Sequence, residues 1–116
     1  MINVFENAKT STKQGDIGEA RAIYEYTRLG YSVSCPLADS SKYDLIIERD
    51  GIIMKVQVKT SKFKSRTGSY VANLRTFGGN RSGTEIKHRE KGDWDLLFIL
   101  TENNRVWSIP ENALGE

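Results

Sequence analysis

The chain has 116 residues, 38% of them hydrophobic and 28% charged, with a net charge of +2. That supports one compact domain, residues 1–116, and no second. No stretch approaches the roughly 18 apolar residues of a membrane span, Met1 to Thr10 hold no apolar signal core, and the single Cys35 excludes an internal disulfide or a zinc cluster built on cysteines, so a cytoplasmic protein without membrane attachment is expected.

Thr10, Ser11 and Thr12 are helix-capping residue types, and Asp16 and Glu19 suit early helical turns. Helical periodicity runs to Leu29, and Gly30 stops it. Tyr31 to Cys35 alternates as a short strand closed by Pro36, and residues 37–42 read as a loop. Lys42 to Arg49 and Ile52 to Thr60 are β-rich and flank Asp50-Gly51, a two-residue hairpin signal. Ser61 to Thr67 reads as a basic loop, Ser69 to Arg75 as a strand, and Thr76 to Lys91 as a long loop. Asp93 to Thr101 contains the apolar run Leu96-Leu97-Phe98-Ile99-Leu100 of a buried strand. Glu102-Asn103-Asn104 makes a turn, Arg105 to Ile109 a last strand, and Pro110 opens a helical turn. This order predicts an α/β (α+β) domain on one mixed sheet, with the N-terminal helix packed on it.

The charge is unevenly placed. Residues 55–91 hold ten lysines and arginines against two glutamates, a local charge of +8, and the remainder carries −6. Such a segment fits either a polyanion partner, nucleic acid first, or a solvated basic surface.

On a helical wheel starting at Ile17, an apolar arc runs from Leu29 at about 120° round to Ile17 at about 360°. Glu19 falls inside it, between Tyr26 and Ile23. A carboxylate there is either paired or shifted in pKa, or it serves the helix N-terminus.

In the hairpin, Arg49 faces Ile52. Stepping back along both strands then places Tyr43 opposite Val58, Leu45 opposite Val56 and Ile47 opposite Met54, an apolar face. The other face sets Asp44 opposite Gln57, Ile46 opposite Lys55 and Glu48 opposite Ile53, with Lys59 diagonal to Asp44. Facing side chains lie about 5 Å apart, so Asp44, Gln57 and Lys59 converge at one end. The plain alternative is the wet face of a half-buried sheet. If the helix covers this face, Glu19 joins the cluster.

Two acids, an amide and a lysine suit phosphodiester hydrolysis. The oxygens are hard ligands for Mg²⁺ or Mn²⁺, and a lysine can attend a water and stabilise developing negative charge. Other chemistries lack material: Gly78-Gly79-Asn80-Arg81-Ser82-Gly83 is not followed by the Lys-Ser/Thr of a phosphate loop, and His88 is the single histidine.

In order and spacing, Gly18-Glu19-Ala20, Tyr43-Asp44-Leu45-Ile46-Ile47 and Gln57-Val58-Lys59 resemble the PD-(D/E)xK nuclease superfamily. Gly15-Asp16-Ile17-Gly18-Glu19-Ala20, Leu29-Gly30-Tyr31-Ser32-Val33 and Pro36 resemble the opening of small archaeal-type Holliday junction resolvases and of group I intron homing endonucleases. The homing enzymes also place Gln at the position of Gln57. Asp93-Trp94-Asp95-Leu96-Leu97 and Val106-Trp107-Ser108-Ile109-Pro110 resemble the last two strands of that group. Tyr43 stands where the signature proline would be, and Gln57 replaces an acidic ligand with a neutral one.

The resemblance implies a restriction-endonuclease-like core and a Mg²⁺-dependent DNA endonuclease, with Mn²⁺ able to substitute. Asp44 and Gln57 would ligate metal, Glu19 would reach it through water, Lys59 would attend the attacking water, and Ser61 would be an accessory or a plain strand-end residue. Lys62, Lys64, Arg66, Arg75, Arg81, Lys87, Arg89 and Lys91 would form the DNA-contacting rim, with Tyr70 and Phe77 stacking on bases or filling core. The substrate would be a four-way junction or a duplex, met at the nucleoid. Paired cuts would need a homodimer or higher homo-oligomer. The leading reading is a structure-selective nuclease resembling Holliday junction resolvases; a site-specific homing or restriction-type enzyme is the alternative, and a non-catalytic DNA-binding protein with a decayed site the second.

Overall fold

The computed structural model describes residues 3–38, 40–62 and 92–114. Thr10 starts the helix as expected: its backbone is extended and its hydroxyl accepts the Lys13 N–H at 3.0 Å, capping α1, Ser11–Arg28. At the other end Gly30 adopts φ 95°, and the Arg49 guanidinium donates to the Leu29 carbonyl at 2.8 Å. The Gly30 and Tyr31 N–H groups donate to the Thr27 and Tyr26 carbonyls, each at 3.0 Å, so several of the last helical carbonyls are satisfied there. Strands follow at β1 (Ser32–Ser34), β2 (Leu45–Arg49), β3 (Ile52–Ser61), β4 (Leu96–Thr101) and β5 (Val106–Pro110), and a 3₁₀ turn covers Glu111–Leu114.

The sheet order is β1-β2-β3-β4-β5, with only β3 and β4 parallel. Asp50 and Gly51 both have positive φ, 55° and 81°, as the tight hairpin turn requires. The register from Arg49–Ile52 to Leu45–Val56 is the predicted one. Parallel neighbours cannot be joined by a tight turn, which accounts for the long stretch of sequence between β3 and β4. The predicted strand Ser69 to Arg75 and loop Thr76 to Lys91 fall there, outside the described residues. The expected fold class therefore stands: one mixed sheet carrying an N-terminal helix.

One face of the sheet packs on α1. Ala22 and Tyr26 meet Leu45, Ile47, Val56, Val58, Phe98 and Leu100, with Phe5 from the N-terminal segment added. The other face gathers Trp94, Leu97 and Ile99 with Tyr43, Trp107 and Ile109. No helix among the described residues is long and apolar enough to cross a membrane.

Two expectations are corrected. The helix buries Gly18, Ala22 and Tyr26, whereas Ile23 and Tyr24, predicted to face inward, are 37% and 59% exposed. A Cβ on Gly18 would lie 2.5 Å from Thr60 Cγ2 and 3.3 Å from Val58 Cγ1. The helix thus approaches the sheet through its smallest residues, and this closeness sets its rotation ahead of side-chain hydrophobicity. Glu19 consequently borders the buried stripe instead of lying inside it.

The second correction concerns Tyr43, which does not face Val58. The Asp44 N–H donates at 2.8 Å to the carbonyl of Val56, the residue already paired with Leu45. Two residues thus oppose one, as in a β-bulge, and Tyr43 packs instead on the Trp94 face.

Candidate active site

The slip at Asp44 creates the site. Its carboxylate turns onto β3, where Oδ2 accepts the Val58 N–H at 2.8 Å and Gln57 Nε2 at 3.0 Å. A side chain has taken over an acceptor position in the ladder. Gln57 and Lys59 are two apart on β3, so they share a face. Both are half-buried and pair in register with Leu97 and Ile99 of β4. The structure therefore brings Asp44 and Gln57 into contact as expected and keeps Lys59 on the same face.

Glu19 arrives by another route than the expected one. The helix covers the opposite face, that of Val56 and Val58, and so does not lie over Gln57 and Lys59. Glu19 still feels the cluster: partial burial pushes its carboxyl above the usual carboxylate range, and the charges of Asp44 and then Asp16 push it the same way. It lies beyond the first turn of α1, which contains no acid, so service to the helix N-terminus is not its role. The position of α1 is held by Gly18 against Val58 and Thr60 and by Gln14 Nε2 donating to Thr60 Oγ1 at 2.7 Å. Thr60 is the immediate neighbour of Lys59, so one contact ties the Glu19 helix to the Lys59 strand. Gln14, Gly18 and Thr60 were not among the candidates. The one sequence signal for them is a glycine within a helical run, which marks close approach.

Ser61 is buried, and its carbonyl accepts the Glu102 N–H at 3.0 Å. Lys62 is exposed immediately beyond β3. Lys64, Arg66, Arg75, Arg81, Lys87, Arg89 and Lys91 lie outside the described residues, as do Tyr70, Phe77 and His88. Lys55 is held within the fold: its ammonium donates to the Gly92 carbonyl, and its backbone N–H donates to Asp95 Oδ2 at 2.8 Å.

Among the described residues no three His, Cys, Asp or Glu side chains gather at one point. A cation here would meet the Asp44 carboxylate and an amide oxygen, with Glu19 within electrostatic reach of Asp44, a hard donor set that leaves room for water. Burial first, and then the charges of Asp44 and Asp16, raise the Glu19 carboxyl, and a cation would offset the charge contribution.

The model of the PD-(D/E)XK endonuclease family matches residues 9–115. The chain belongs to that family. Glu19, Asp44 and Gln57-Val58-Lys59, the residues whose order and spacing resemble the signature of such nucleases, all lie within the matched span. Protein 5.3 of Escherichia phage T7 is 33% identical over 90 residues, which span 78% of this chain and 72% of that protein. A bacterial homing endonuclease, I-Ssp6803I, has the same fold, with a TM-score of 0.65 at 24% identity, covering 90% of this chain and 68% of the other. As a member of this nuclease family the chain has DNA as its expected substrate class, and divalent metal ions are the general cofactors of PD-(D/E)XK enzymes.

Proposed function

We propose that this chain is a Mg²⁺-dependent DNA endonuclease whose site is Glu19, Asp44, Gln57 and Lys59. The observation that carries the reading is the 3.0 Å contact of Asp44, just before β2, with Gln57 of β3, with Lys59 two residues further along the same face. Asp44 and the Gln57 amide oxygen would hold the ion, Glu19 would reach it through water, and Mn²⁺ would substitute for Mg²⁺. When bound, the ion supplies Lewis-acid activation of the scissile phosphate. Lys59 holds the attacking water in line with the phosphorus and donates to the charge that builds on the phosphate oxygens. Asp44 is kept from rotating by the Val58 N–H. Lys62, exposed at the end of β3, and the basic residues from Lys64 to Lys91 grip the flanking phosphates. One such site cuts one strand, so paired cuts require a homodimer.

Two forms of substrate are compatible with this site, a four-way junction and a specific duplex sequence. Gln57 favours the second, because the homing endonucleases the chain resembles also place glutamine there. Cleavage of an immobile junction and of linear duplex in Mg²⁺ tests both. Symmetric nicks confined to the junction would exclude the site-specific reading. Lys59→Ala should abolish cleavage while DNA binding persists. A Lys59→Ala protein that cuts like wild type would overturn the proposed mechanism. Binding without cleavage by the wild type would leave a DNA-binding protein with a decayed site.

A further inference from the structure

We infer that Gln57 is a positioning residue for Asp44 and that its amide nitrogen, which no acid can replace, is what the site requires. The inference rests on the nuclease reading above and assigns Gln57 a task beyond supplying an oxygen. An ionised carboxylate only accepts hydrogen bonds. The 3.0 Å contact with Asp44 Oδ2 therefore fixes which end of the amide faces it, the Nε2 end. The same Oδ2 accepts the Val58 N–H at 2.8 Å. These two donors come from consecutive residues of one strand, one from side chain and one from backbone. Together they occupy both lone pairs of Oδ2 and hold the carboxylate plane. Oδ1, which neither donor engages, would then be the oxygen available to a cation.

An amide forks. Its nitrogen can clamp Asp44 while its oxygen remains on the other branch for a cation. Glutamate has nearly the same shape but no donor, and it would set a second negative charge against Oδ2. Counting charge alone predicts that Gln57→Glu binds a divalent ion more tightly and cuts at least as well. The clamp predicts the opposite, because Asp44 loses a donor and is repelled from its place. Hydrogen-bonding partners that orient a ligand typically change metal affinity or activity by about 10- to 100-fold when removed.

The test compares wild type with Gln57→Glu, Gln57→Met and Asp44→Ala. Gln57→Met removes the donor without adding charge, which separates the two effects and serves if the charged variant misfolds. In metal-free protein, the Gln57 side-chain NH₂ should exchange slowly with water and lose that protection in Asp44→Ala. Calorimetric titration with Mn²⁺ should show no tighter binding in Gln57→Glu. Cleavage in Mg²⁺ should fall about 10- to 100-fold in both Gln57 variants. Tighter Mn²⁺ binding with undiminished cleavage in Gln57→Glu would overturn the clamp, as would a Gln57 NH₂ indifferent to Asp44→Ala. A wild type that cuts no DNA in Mg²⁺ or Mn²⁺ would instead overturn the nuclease reading, and the metal-free exchange measurement would still decide the clamp.

Discussion

At the scale of single residues, Gly18 is the position where sequence, packing and site meet. Any side chain there collides with Thr60 Cγ2, and Thr60 neighbours Lys59. Gly18→Ala should cost about 1–3 kcal/mol of stability through overpacking, measured by urea unfolding. It should also lower cleavage by shifting Glu19 relative to Lys59. Thr60→Ser removes the colliding methyl and keeps the hydroxyl that Gln14 donates to. The double variant should therefore recover most of the loss, a coupling that independent sites do not show. The nearness of Asp44 to Gln57 and the shared face of Gln57 and Lys59 were legible because a two-residue turn sets the register of a hairpin and register sets the faces. The local slip at Asp44 was not legible. It depends on whether the carboxylate or a backbone carbonyl accepts the Val58 N–H, and both choices satisfy the same alternation of residues.

At the scale of elements, the helix shows how far periodicity goes. Its limits were readable from Thr10 and Gly30, but its rotation was not. The hydrophobic arc pointed inward through Ile23, while contact distance selected Gly18 and Ala22. The half-buried polar side of the helix is stabilised locally. Glu25 accepts from Arg21 at 2.8 Å and from Arg28 at 2.9 Å, and Arg21 also donates to Asn104 Oδ1 in the β4–β5 turn. The hydrogen bond from Arg21 holds the Glu25 carboxyl below the usual range, with Arg28 adding to it and partial burial opposing. A depressed folded-state pKa means the bridge stabilises above the unfolded-state pKa and is lost as pH falls through the folded-state one. Glu25→Gln should therefore cost at most about 1 kcal/mol at neutral pH, given its solvent access, and nothing in strong acid. Urea unfolding of both proteins at the two pH values checks this.

At the scale of the whole molecule, charge and cation binding dominate. A segment of +8 against −6 elsewhere should make DNA affinity steeply salt-dependent if it contacts phosphates, since each such contact adds roughly −0.9 to the slope of log K on log salt. Fluorescence anisotropy between about 50 and 200 mM salt should show a loss of tenfold or more, and a flat response would remove the polyanion argument. Cation binding should appear as stability: with Mg²⁺ at about 100 times its Kd, wild type gains about 2.7 kcal/mol. Asp44→Ala should gain almost none, as thermal unfolding would report.

The sequence by itself determined the elements of lowest contact range. These are the capped helix, the Asp50-Gly51 hairpin with its register, the apolar strand Leu96 to Thr101, and the order of Glu19, Asp44, Gln57 and Lys59 along the chain. Each follows from neighbours a few residues apart, where backbone geometry leaves few choices. Only the tertiary structure decided which face of the sheet the helix covers, which helical residues touch it, and how Asp44 turns onto β3. Those outcomes hang on the fit of Gly18 against Thr60 and on one carboxylate oxygen shared by two donors. They are contacts between distant parts of the chain, and no periodicity in the sequence encodes their distances.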